Sequence, residues 1–546
     1  MLIFTETMNQ SILRTMKSLN KSIERAKTPE TVGIDSSVIL KMTEEMSYRG
    51  INIHSLMILR DNKVACEAWS GPLAPDIPHM VYSISKSFLA TAYGFALEEG
   101  KITRETRVVD VFPELQEKKD VFLQKLTIHQ LLCMTAGKQT SIRGSKSDDW
   151  LKSFVNAKWI FEPGTSWRYV NDNYYVAAKM LCRVLGESIT EYLKPRLYEP
   201  LGIDVPFWEH SPDGVEAGGW GLQLKTEDIA KFILCYHNKG KYNDTQVIPE
   251  WWTKEATGFI TDNSVSEKEP DASAGYGCGF WRCAGMPDTY RAEGMFCQYA
   301  ISFESYNACL VMTSDHSGLQ EALDVIWEYM PKAFIQPDTE KESCEIILPD
   351  KSTVVSTPRS EIEKRVEGKT YTLRKCRFIN FIGFPISVLP MPIVFFARDR
   401  GGNMDNLKFI FSEKGCDFSW SEDGGFENKI FLSMDGEASI DRVCLGELDM
   451  QVRAYAYWEN SSTLVMHIRP LASVAERILK FEFSGNKIKM YPSYIPGTDE
   501  KAKKVGDKLK CILIGKWFHW WIDFLVPRVG KILNPVHYGK IKTDRI

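Results

Sequence analysis

The 546-residue chain is 44% hydrophobic and 25% charged, fractions typical of soluble globular proteins and, at this length, of two or three domains. A net charge of −4 gives no reason to expect a nucleic-acid partner. The 13 cysteines are odd in number and include no Cys-x-x-Cys pair, and the N-terminus lacks the basic start and long apolar run of a secretory signal. We therefore expect free thiols and a cytoplasmic location. The nine histidines are dispersed and form no His-Glu-x-x-His pattern, so we expect no metal site and no cofactor.

Hydrophobic periodicity and turn residues predict a first domain with strands at both ends and mostly helices between them. This order indicates a sheet that is completed by both ends of the domain, with a helical region inserted. In chain order we predict a polar lead-in (1–33), a helix (34–46), a hairpin (51–60 and 63–69), helices over 83–100, 126–137, 174–185 and 226–238, strands over 276–281, 289–294, 298–304 and 308–313, and a closing helix (318–333).

Ser83 and Lys86 stand at the start of the helix 83–100 and form a Ser-x-x-Lys pair. At this spacing the two side chains lie on the same face, one turn apart. The hydroxyl then sits at the positive end of the helix dipole, beside an amine that could accept its proton. This arrangement suits a serine that is acylated during catalysis. The same spacing at Ser18/Lys21 and Ser484/Lys487 shows that the motif alone is weakly specific.

Two predicted loops follow this helix in the chain. The turn signal Pro163-Gly164 begins a loop that carries Tyr169 and Asn171. The glycine-rich segment 217–222 has neither a Gly-Lys-Ser/Thr nor a Gly-x-Gly-x-x-Gly signature, so close approach of its backbone is favoured over phosphate binding. We interpret His129, in the short helix between, as a structural residue and not as a base.

The pattern changes after residue 335, where the first domain is predicted to end. Residues 336–369 are polar and charged and are predicted to be a linker. From 370 to 495, short alternating segments separated by Gly, Asp, Asn and Ser predict an all-β sandwich or barrel. Within it, the uncharged stretch 378–397 has the length of a membrane span, but three interior prolines favour buried strand and turn, with a membrane role as the alternative.

The tail, residues 496–546, is rich in lysine and then in aromatic residues. One interpretation is that its aromatic side chains pack on one of the domains. The other is an interfacial helix that makes peripheral contact with a membrane, its lysines attracted to anionic lipid.

The order of these motifs resembles a known superfamily. Ser83-x-x-Lys86, then Tyr169-x-Asn171 after Pro-Gly, then a glycine in a late strand region resemble the serine β-lactamases and penicillin-recognising enzymes. The resemblance is to the class C-related branch, which includes D-alanyl-D-alanine peptidases, esterases and 6-aminohexanoate-dimer hydrolases. The segments 126–137 and Pro200–Ile203 resemble further stretches of that branch, so the resemblance covers residues 1–335. It implies an α+β fold, an antiparallel sheet flanked by helices with a helical subdomain, and the site between them.

The resemblance also implies roles for the matching residues. Ser83 would be acylated, and Lys86 and Tyr169 would share the proton-transfer role. Both are poor bases at their ordinary pKa values, so burial would have to perturb the lysine and a nearby positive charge the tyrosine. Asn171 would hold Lys86 or a substrate amide. Gly294 would let substrate approach the strand, and the N–H groups of Ser83 and Met295 would form an oxyanion hole.

The third motif departs from the family pattern. Where the family has Lys-Thr-Gly or His-x-Gly, this chain has Ala292-Glu293-Gly294, and strand alternation turns Arg291 to the opposite face from Ala292. A cleft without that cation should bind carboxylates poorly. We therefore expect an esterase or amide hydrolase acting on a small ester or amide rather than a β-lactamase. The alternative is a non-catalytic binding or scaffolding protein that keeps the fold.

Overall fold

The structure is a computed structural model that describes residues 22–140, 142, 149–350, 353–374, 387–390, 393, 402–422, 425–495 and 536–542. The chain forms two compact units, Met1–Pro349 and Asp350–Ile546, and each is described by itself below.

The first unit is built on a six-stranded antiparallel sheet with the order β2-β1-β10-β9-β8-β7. Its first hairpin pairs with its last strand, Met57 lying opposite Val311, so both ends of the unit complete the sheet as predicted. Two short strand pairs lie outside this sheet in the described residues, β3 with β4 and β5 with β6. The strands of the unit are β1 (Ile53–Arg60), β2 (Lys63–Trp69), β3 (His79–Met80), β4 (Gln223–Leu224), β5 (Lys241–Tyr242), β6 (Thr245–Gln246), β7 (Trp281–Arg282), β8 (Thr289–Gly294), β9 (Gln298–Phe303) and β10 (Ala308–Ser314).

Helices cover both faces of this sheet. The helices at the two ends of the unit, α1 and α11, pack on one face around Ile39, Ile326 and Met330, while α9 packs against the central strands on the other. Because both faces are covered, the central strands are buried along almost their whole length. The helices are α1 (Ser36–Tyr48), α2 (Ser85–Glu98), α3 (Val108–Val111), α4 (Ile128–Leu132), α5 (Trp150–Asn156), α6 (Asn171–Leu185), α7 (Ile189–Leu193), α8 (Glu199–Leu201), α9 (Thr226–His237), α10 (Glu250–Thr257) and α11 (Leu319–Ala333), with 3₁₀ turns at Pro29–Val32, Tyr82–Ile84, Pro113–Leu115 and Glu304–Tyr306 and a π turn at Lys194–Tyr198.

Helix α2 differs in one respect from the amphipathic helix that its spacing predicts. Every residue from Ser85 to Ala96 is buried, including Lys86. The helix therefore runs through the interior of the unit, and Lys86 is buried in the core.

The predicted linker is divided between the two units. Residues 336–349 pack on the first: the Cys344 N–H donates to Ser36 Oγ at 2.7 Å, the Ser343 hydroxyl donates to Glu30, and Leu348 lies in the core. These polar side chains meet buried partners far away in the chain, which local composition cannot indicate.

The second unit is a closed barrel, which decides between the two all-β architectures that the sequence allows. In the described residues its ten strands have the order β14-β13-β12-β11-β20-β19-β18-β17-β16-β15, and a bridge between Ser433 of β14 and Tyr455 of β16 connects the first strand of this order with the last but one. Inward side chains alternate with outward ones, and Phe409, Phe418 and Phe481 form its aromatic core. The strands are β11 (Thr370–Leu373), β12 (Asp405–Phe411), β13 (Gly415–Glu422), β14 (Phe426–Ser433), β15 (Ser439–Leu445), β16 (Leu448–Asn460), β17 (Thr463–Pro470), β18 (Glu476–Ser484), β19 (Lys487–Ile495) and β20 (His537–Ile541), preceded by helix α12 (Glu363–Val366).

The rest of the predicted linker packs on this barrel. The Thr357 hydroxyl donates to the carbonyl of Trp458 at 2.8 Å, and Arg359 pairs with Glu363 in helix α12. Residues 353–369 are thus part of the second unit.

Most of the uncharged stretch 378–397 lies outside the described residues. Those of its residues that the structure describes, 387–390 and 393, are buried. The N–H of Val388 donates to the buried carboxyl of Glu422 at 2.8 Å, and Arg477 donates to the carbonyl of Leu389 at 2.8 Å. Across the described parts of the chain, none of the helices combines the length and the apolar character needed to cross a bilayer.

The β domain extends beyond residue 495, where the sequence predicted its end. Strand β20 comes from the predicted tail and lies between β11 and β19, with Tyr371 opposite Ile541 and Met490 opposite His537. It is only five residues long and is exposed at alternate positions. Its composition alone therefore does not distinguish it from the rest of the tail. The lysine-rich and aromatic part of the tail lies outside the described residues.

Strand β20 gives a test of barrel closure. Gly539 lies opposite Leu373 on one side and Ile488 on the other, so Gly539→Pro removes one backbone N–H from mid-sheet. We expect the barrel to lose about 0.5–1.5 kcal/mol for that bond and more through crowding, because a Cβ at this position would lie 2.8 Å from side-chain atoms of Ile488 and Leu373; thermal unfolding of the full chain measures the loss. Val536→Pro, just before the strand, is the control and should leave the melting curve unchanged; equal curves for the two variants would contradict the topology.

Candidate active site

The residue before Ser83 holds an unusual backbone conformation. Tyr82 has φ +48° although it is a bulky and buried residue, which is uncommon outside glycine. The turn is fixed from two sides: the Val81 N–H donates to the carbonyl of Leu222 at 3.0 Å, and the Ser85 hydroxyl donates to the carbonyl of Tyr82 at 2.6 Å. Ser83 therefore stands half-buried on a tightly held 3₁₀ turn at the start of α2, as the Ser-x-x-Lys spacing predicts.

Lys86 is buried and surrounded by oxygen atoms. Its Nζ lies 2.9 Å from Ser83 Oγ, 2.7 Å from Asn171 Oδ1 and 2.6 Å from the carbonyl oxygen of Gly219. Burial lowers the pKa of Lys86 well below its ordinary value of 10.5. Two N–H groups of the amine donate to the two carbonyl oxygens, and its third contact is with the hydroxyl of Ser83. This is the contact that the predicted role of Lys86 as a base requires.

Tyr169 packs over this amine. Its ring centre lies 4.9 Å from Lys86 Nζ and is stacked on Trp281 at 5.5 Å. Burial raises the pKa of Tyr169 above its ordinary value, against an opposing hydrogen bond with Ser83. The expectation that a nearby positive charge lowers this pKa is wrong, because burial is the largest effect and raises it. Burial thus shifts the two pKa values in opposite directions, that of the lysine down and that of the phenol up.

Asn171 and Gly219 hold the lysine from two different loops. Asn171 begins helix α6, and of its two expected roles the structure displays the contact with Lys86. Gly219 lies in the glycine-rich segment: a Cβ there would lie 3.1 Å from the carbonyl oxygen of Asn171, and one on Gly218 would lie 2.6 Å from that of Tyr174. The predicted close backbone approach is present, but the sequence did not indicate that a carbonyl of this loop reaches Lys86.

Gly294 ends strand β8 beside the nucleophile turn. A Cβ at this position would lie 2.2 Å from the carbonyl oxygen of Val81, so the protein's own backbone requires glycine here, apart from any need of a substrate. After it the chain turns through two non-glycine residues with positive φ, Phe296 (+68°) and Cys297 (+61°).

The side chain of Gln298 fixes this turn. Its amide donates to the carbonyl oxygens of Met295, Phe296 and Ser314 at 3.2, 2.9 and 2.7 Å. These bonds explain why a glutamine stands four residues after Gly294: its amide stabilises the turn between them. The side chain of Met295 is 36% exposed, and the oxyanion role of its N–H and that of Ser83 stays a prediction.

No cation replaces the missing lysine or histidine on strand β8 within the described residues. Ala292 is fully buried. Arg291 is buried as well, and its guanidinium donates to Glu293 at 2.7 Å and to the carbonyl oxygens of Arg282 and Asp271 at 2.8 and 3.1 Å. Its donors are therefore committed away from a substrate.

A cavity of about 470 Å³ lies beside Tyr169. Burial, and then the charge of Glu293, raise the pKa of Glu267, which lines this cavity. The sequence did not indicate this cavity, because its lining residues come from two segments about 100 positions apart that carry no motif. The lining residues are Ile160, Phe161, Ser166, Trp167, Arg168, Tyr169, Val265, Ser266 and Glu267.

Comparison with known proteins agrees with this geometry. The sequence profile of the β-lactamase family matches residues 41–331. The chain belongs to the β-lactamase family. The match contains every residue of the site described above, and the barrel lies outside it.

Relatives of this β-lactamase-family domain are distant. A protein of Bacillus subtilis named as a penicillin-binding protein, PbpX, is 26% identical over 287 residues, 49% of this chain and 70% of that protein. Penicillin-binding protein 4 of Amycolatopsis lactamdurans is 28% identical over 127 residues, 22% of this chain and 33% of that protein. A solved structure from Bacillus anthracis, described as a 6-aminohexanoate-dimer hydrolase, is 18% identical with a TM-score of 0.46, covering 53% of this chain and 80% of that one.

The lowered pKa of Lys86 predicts how the reactivity of Ser83 depends on pH. With the unprotonated amine as the predicted base, the labelling rate of Ser83 by a fluorophosphonate should fall as the pH drops through that lowered pKa and stay level above it, since burial raises the pKa of Tyr169 above its ordinary value. Lys86→Arg should abolish labelling, since a guanidinium stays protonated.

Lys138 supplies a matched control for this experiment. It is also buried, and burial lowers its pKa to about 8, but it donates to the carbonyls of Val155 and Ala157. Lys138→Arg should leave the pH profile unchanged. A profile in Lys86→Arg equal to that of the unmodified protein would contradict the assignment of the base.

The close approach at Gly294 can be tested by adding one methyl group. Gly294→Ala should destabilise the domain by about 1–3 kcal/mol through overpacking and slow the labelling of Ser83, because the Val81 carbonyl must move. Gly50→Ala, at an exposed glycine with φ +73° and no atom near its Cβ position, should cost about 1–2 kcal/mol with unchanged labelling. Normal labelling in Gly294→Ala would show that the nucleophile turn does not depend on this contact.

Proposed function

We propose that this protein is a serine hydrolase that forms an acyl-enzyme on Ser83 and acts on ester or amide substrates. One observation carries the proposal: Lys86 Nζ has two carbonyl oxygens at 2.7 and 2.6 Å and the Ser83 hydroxyl at 2.9 Å. A buried amine in these surroundings is a base aimed at one hydroxyl.

Acylation follows from this arrangement. Lys86 takes the proton of Ser83 while Oγ attacks the substrate carbonyl, and N–H groups of Ser83 and Met295 stabilise the oxyanion. Collapse of the tetrahedral intermediate breaks the bond to the leaving group. The phenol of Tyr169 gives that group a proton and regains one from the protonated Lys86, so the site ends neutral.

Deacylation runs through the same groups. Lys86, neutral again, takes a proton from a water molecule that attacks the acyl carbonyl. The proton returns to Ser83 Oγ as the acid leaves. No further base is needed, because both half-reactions transfer one proton to and from the same amine.

The charges near the site favour substrates without a carboxylate. The Arg291 guanidinium is committed to Glu293 and backbone carbonyls, and Ala292 carries no charge. Glu267 and Arg168 both line the cavity beside Tyr169, so the preference rests on strand β8, where the described residues offer no free cation. Relatives named as penicillin-binding proteins make β-lactams the competing substrate class. The absent cation weighs against it.

The nucleophile assignment is tested by mass spectrometry. Incubation with a p-nitrophenyl ester should give an acyl adduct on the peptide that contains Ser83, and Ser83→Ala should lose turnover by several orders of magnitude with its fold intact. Ser87, one turn further along the same helix, donates to the carbonyl of Gly279, and Ser87→Ala is the matched control that should stay active. Full activity in Ser83→Ala would end the proposal.

The substrate proposal has its own measurement. Short-chain p-nitrophenyl esters should show a higher kcat/KM than nitrocefin, because strand β8 offers a substrate carboxylate no free cation among the described residues. A preference for nitrocefin would overturn the argument from charge. A protein that neither turns over esters, amides or lactams nor reacts with a fluorophosphonate would instead be the non-catalytic alternative.

A further inference from the structure

Two cysteines and a histidine lie together behind the catalytic residues. Cys133 Sγ and Cys278 Sγ are 3.1 Å apart, and His129 Nε2 lies 3.5 Å from Cys133 Sγ. Both thiols are buried, while His129 is only partly buried and lies at the outer side of the cluster. The proposed reaction uses none of these three residues.

The surroundings give the two thiols different characters. Burial opposes ionisation of Cys133, but hydrogen bonds with Cys278 and His129 outweigh it and lower its pKa to about 6. The pKa of Cys278 is raised, chiefly by its hydrogen bond with Cys133. A thiolate beside a neutral thiol is the arrangement of a reactive cysteine with a resolving partner.

The cluster offers two thiols for a disulfide but, in the described residues, only three ligand atoms for a metal ion, one fewer than a closed structural zinc site takes. Two thiolates on one tetrahedral zinc, each bonded at about 2.3 Å, would stand about 3.8 Å apart. The sulfur atoms here are 3.1 Å apart, between that separation and the length of a disulfide, and an inward movement of about 1 Å brings them to bonding distance.

Cys133 is coupled to the segment that carries Tyr169. The next residue, Met134, has φ +61°, and its carbonyl accepts the N–H of Arg168 at 3.0 Å. Its sulfur also accepts the N–H of Val170 at 3.4 Å. The residues on both sides of Tyr169 are therefore bonded to the neighbour of Cys133.

Cys278 is coupled to the helix that carries Lys86. The next residue, Gly279, accepts the Ser87 hydroxyl at 2.6 Å, and a Cβ on it would lie 2.9 Å from the carbonyl oxygen of Lys86. The two thiols thus belong to the two chain segments that together position the base and the phenol.

We propose that Cys133 and Cys278 form a reversible disulfide that lowers the activity of the hydrolase. Bond formation draws the two segments together by about 1 Å, since a disulfide is about 2.05 Å long. A displacement of that size between Tyr169 and Lys86 is enough to reduce the rate, because acylation needs near-ideal geometry.

The oxidant is hydrogen peroxide or a peroxide of similar size. The Cys133 thiolate attacks one peroxide oxygen and breaks the O–O bond, giving a sulfenic acid and hydroxide. The Cys278 thiol then attacks the Cys133 sulfur and releases water as the S–S bond forms. Two thiols and one peroxide become one disulfide and two waters, and a dithiol reductant reverses the change.

The experiment treats the full-length protein with hydrogen peroxide and maps disulfides by mass spectrometry without reduction. We expect a Cys133–Cys278 cross-linked peptide pair, and a fall of at least tenfold in the rate of fluorophosphonate labelling at Ser83 that dithiothreitol restores. Cys278→Ala should form no such pair and should not show the reversible fall. Cys235→Ala, at a buried cysteine in helix α9, is the matched control and should respond as the unmodified protein does.

The labelling measurement rests on the proposed function, so this inference and that function can fail separately. Absence of Ser83 labelling in the fully reduced protein would refute the hydrolase proposal, whereas disulfide mapping needs no activity. Absence of the cross-link, or a cross-linked protein that is labelled at the normal rate, would overturn the inference. So would zinc binding at equimolar ratio that Cys133→Ala abolishes, since the site would then be a metal site.

Discussion

The burial of one amine organises the catalytic unit. An unprotonated lysine can remain in a core only where nearby oxygen atoms accept its N–H groups, and here a side-chain amide and a loop carbonyl do so at 2.7 and 2.6 Å. Those two acceptors must come from different parts of the chain. The helix start at Asn171 and the glycine-rich loop at Gly219 are thus both fixed by Lys86, and its remaining lone pair is left for Ser83.

This arrangement has a cost in stability, and its sign follows from the pKa. The pKa of Lys86 is lowered in the folded state, whereas the unfolded chain titrates near 10.5. Between those two values the unfolded state binds more protons, so the free energy of unfolding rises with pH across that window and levels off above it. The fold is therefore least favoured by this residue at the low-pH side, where the proposed base would also be protonated. The surrounding core, with Phe88 stacked on Phe232 at 4.0 Å, offsets this cost.

How far the sequence predicts the structure depends on whether the signal is local. Ser83 and Lys86 lie one turn apart on a helix, and Tyr169 and Asn171 lie two positions apart, so periodicity and motif order predict them. That both ends of the first unit complete its sheet also follows from the pattern of predicted strands. The carbonyl of Gly219, the contact of Gly294 with Val81 and the strand His537–Ile541 depend on partners far away in sequence. Composition does not indicate such partners. For this reason the predicted end of the β domain at residue 495 and the predicted linker, residues 336–369, differ from the structure.

Glycines and positive-φ residues at this site serve packing more than flexibility. Gly294 and Gly279 each bring a chain segment to within van der Waals contact of the nucleophile helix or its turn, at the carbonyls of Val81 and Lys86. Where glycine is absent, side chains fix the strained backbone instead, as Gln298 does for the turn after Gly294. The base and its surroundings are therefore positioned by main chain held at close range. A rigid main-chain frame transmits small displacements, and this is the route by which the proposed disulfide between Cys133 and Cys278 would affect the reacting atoms.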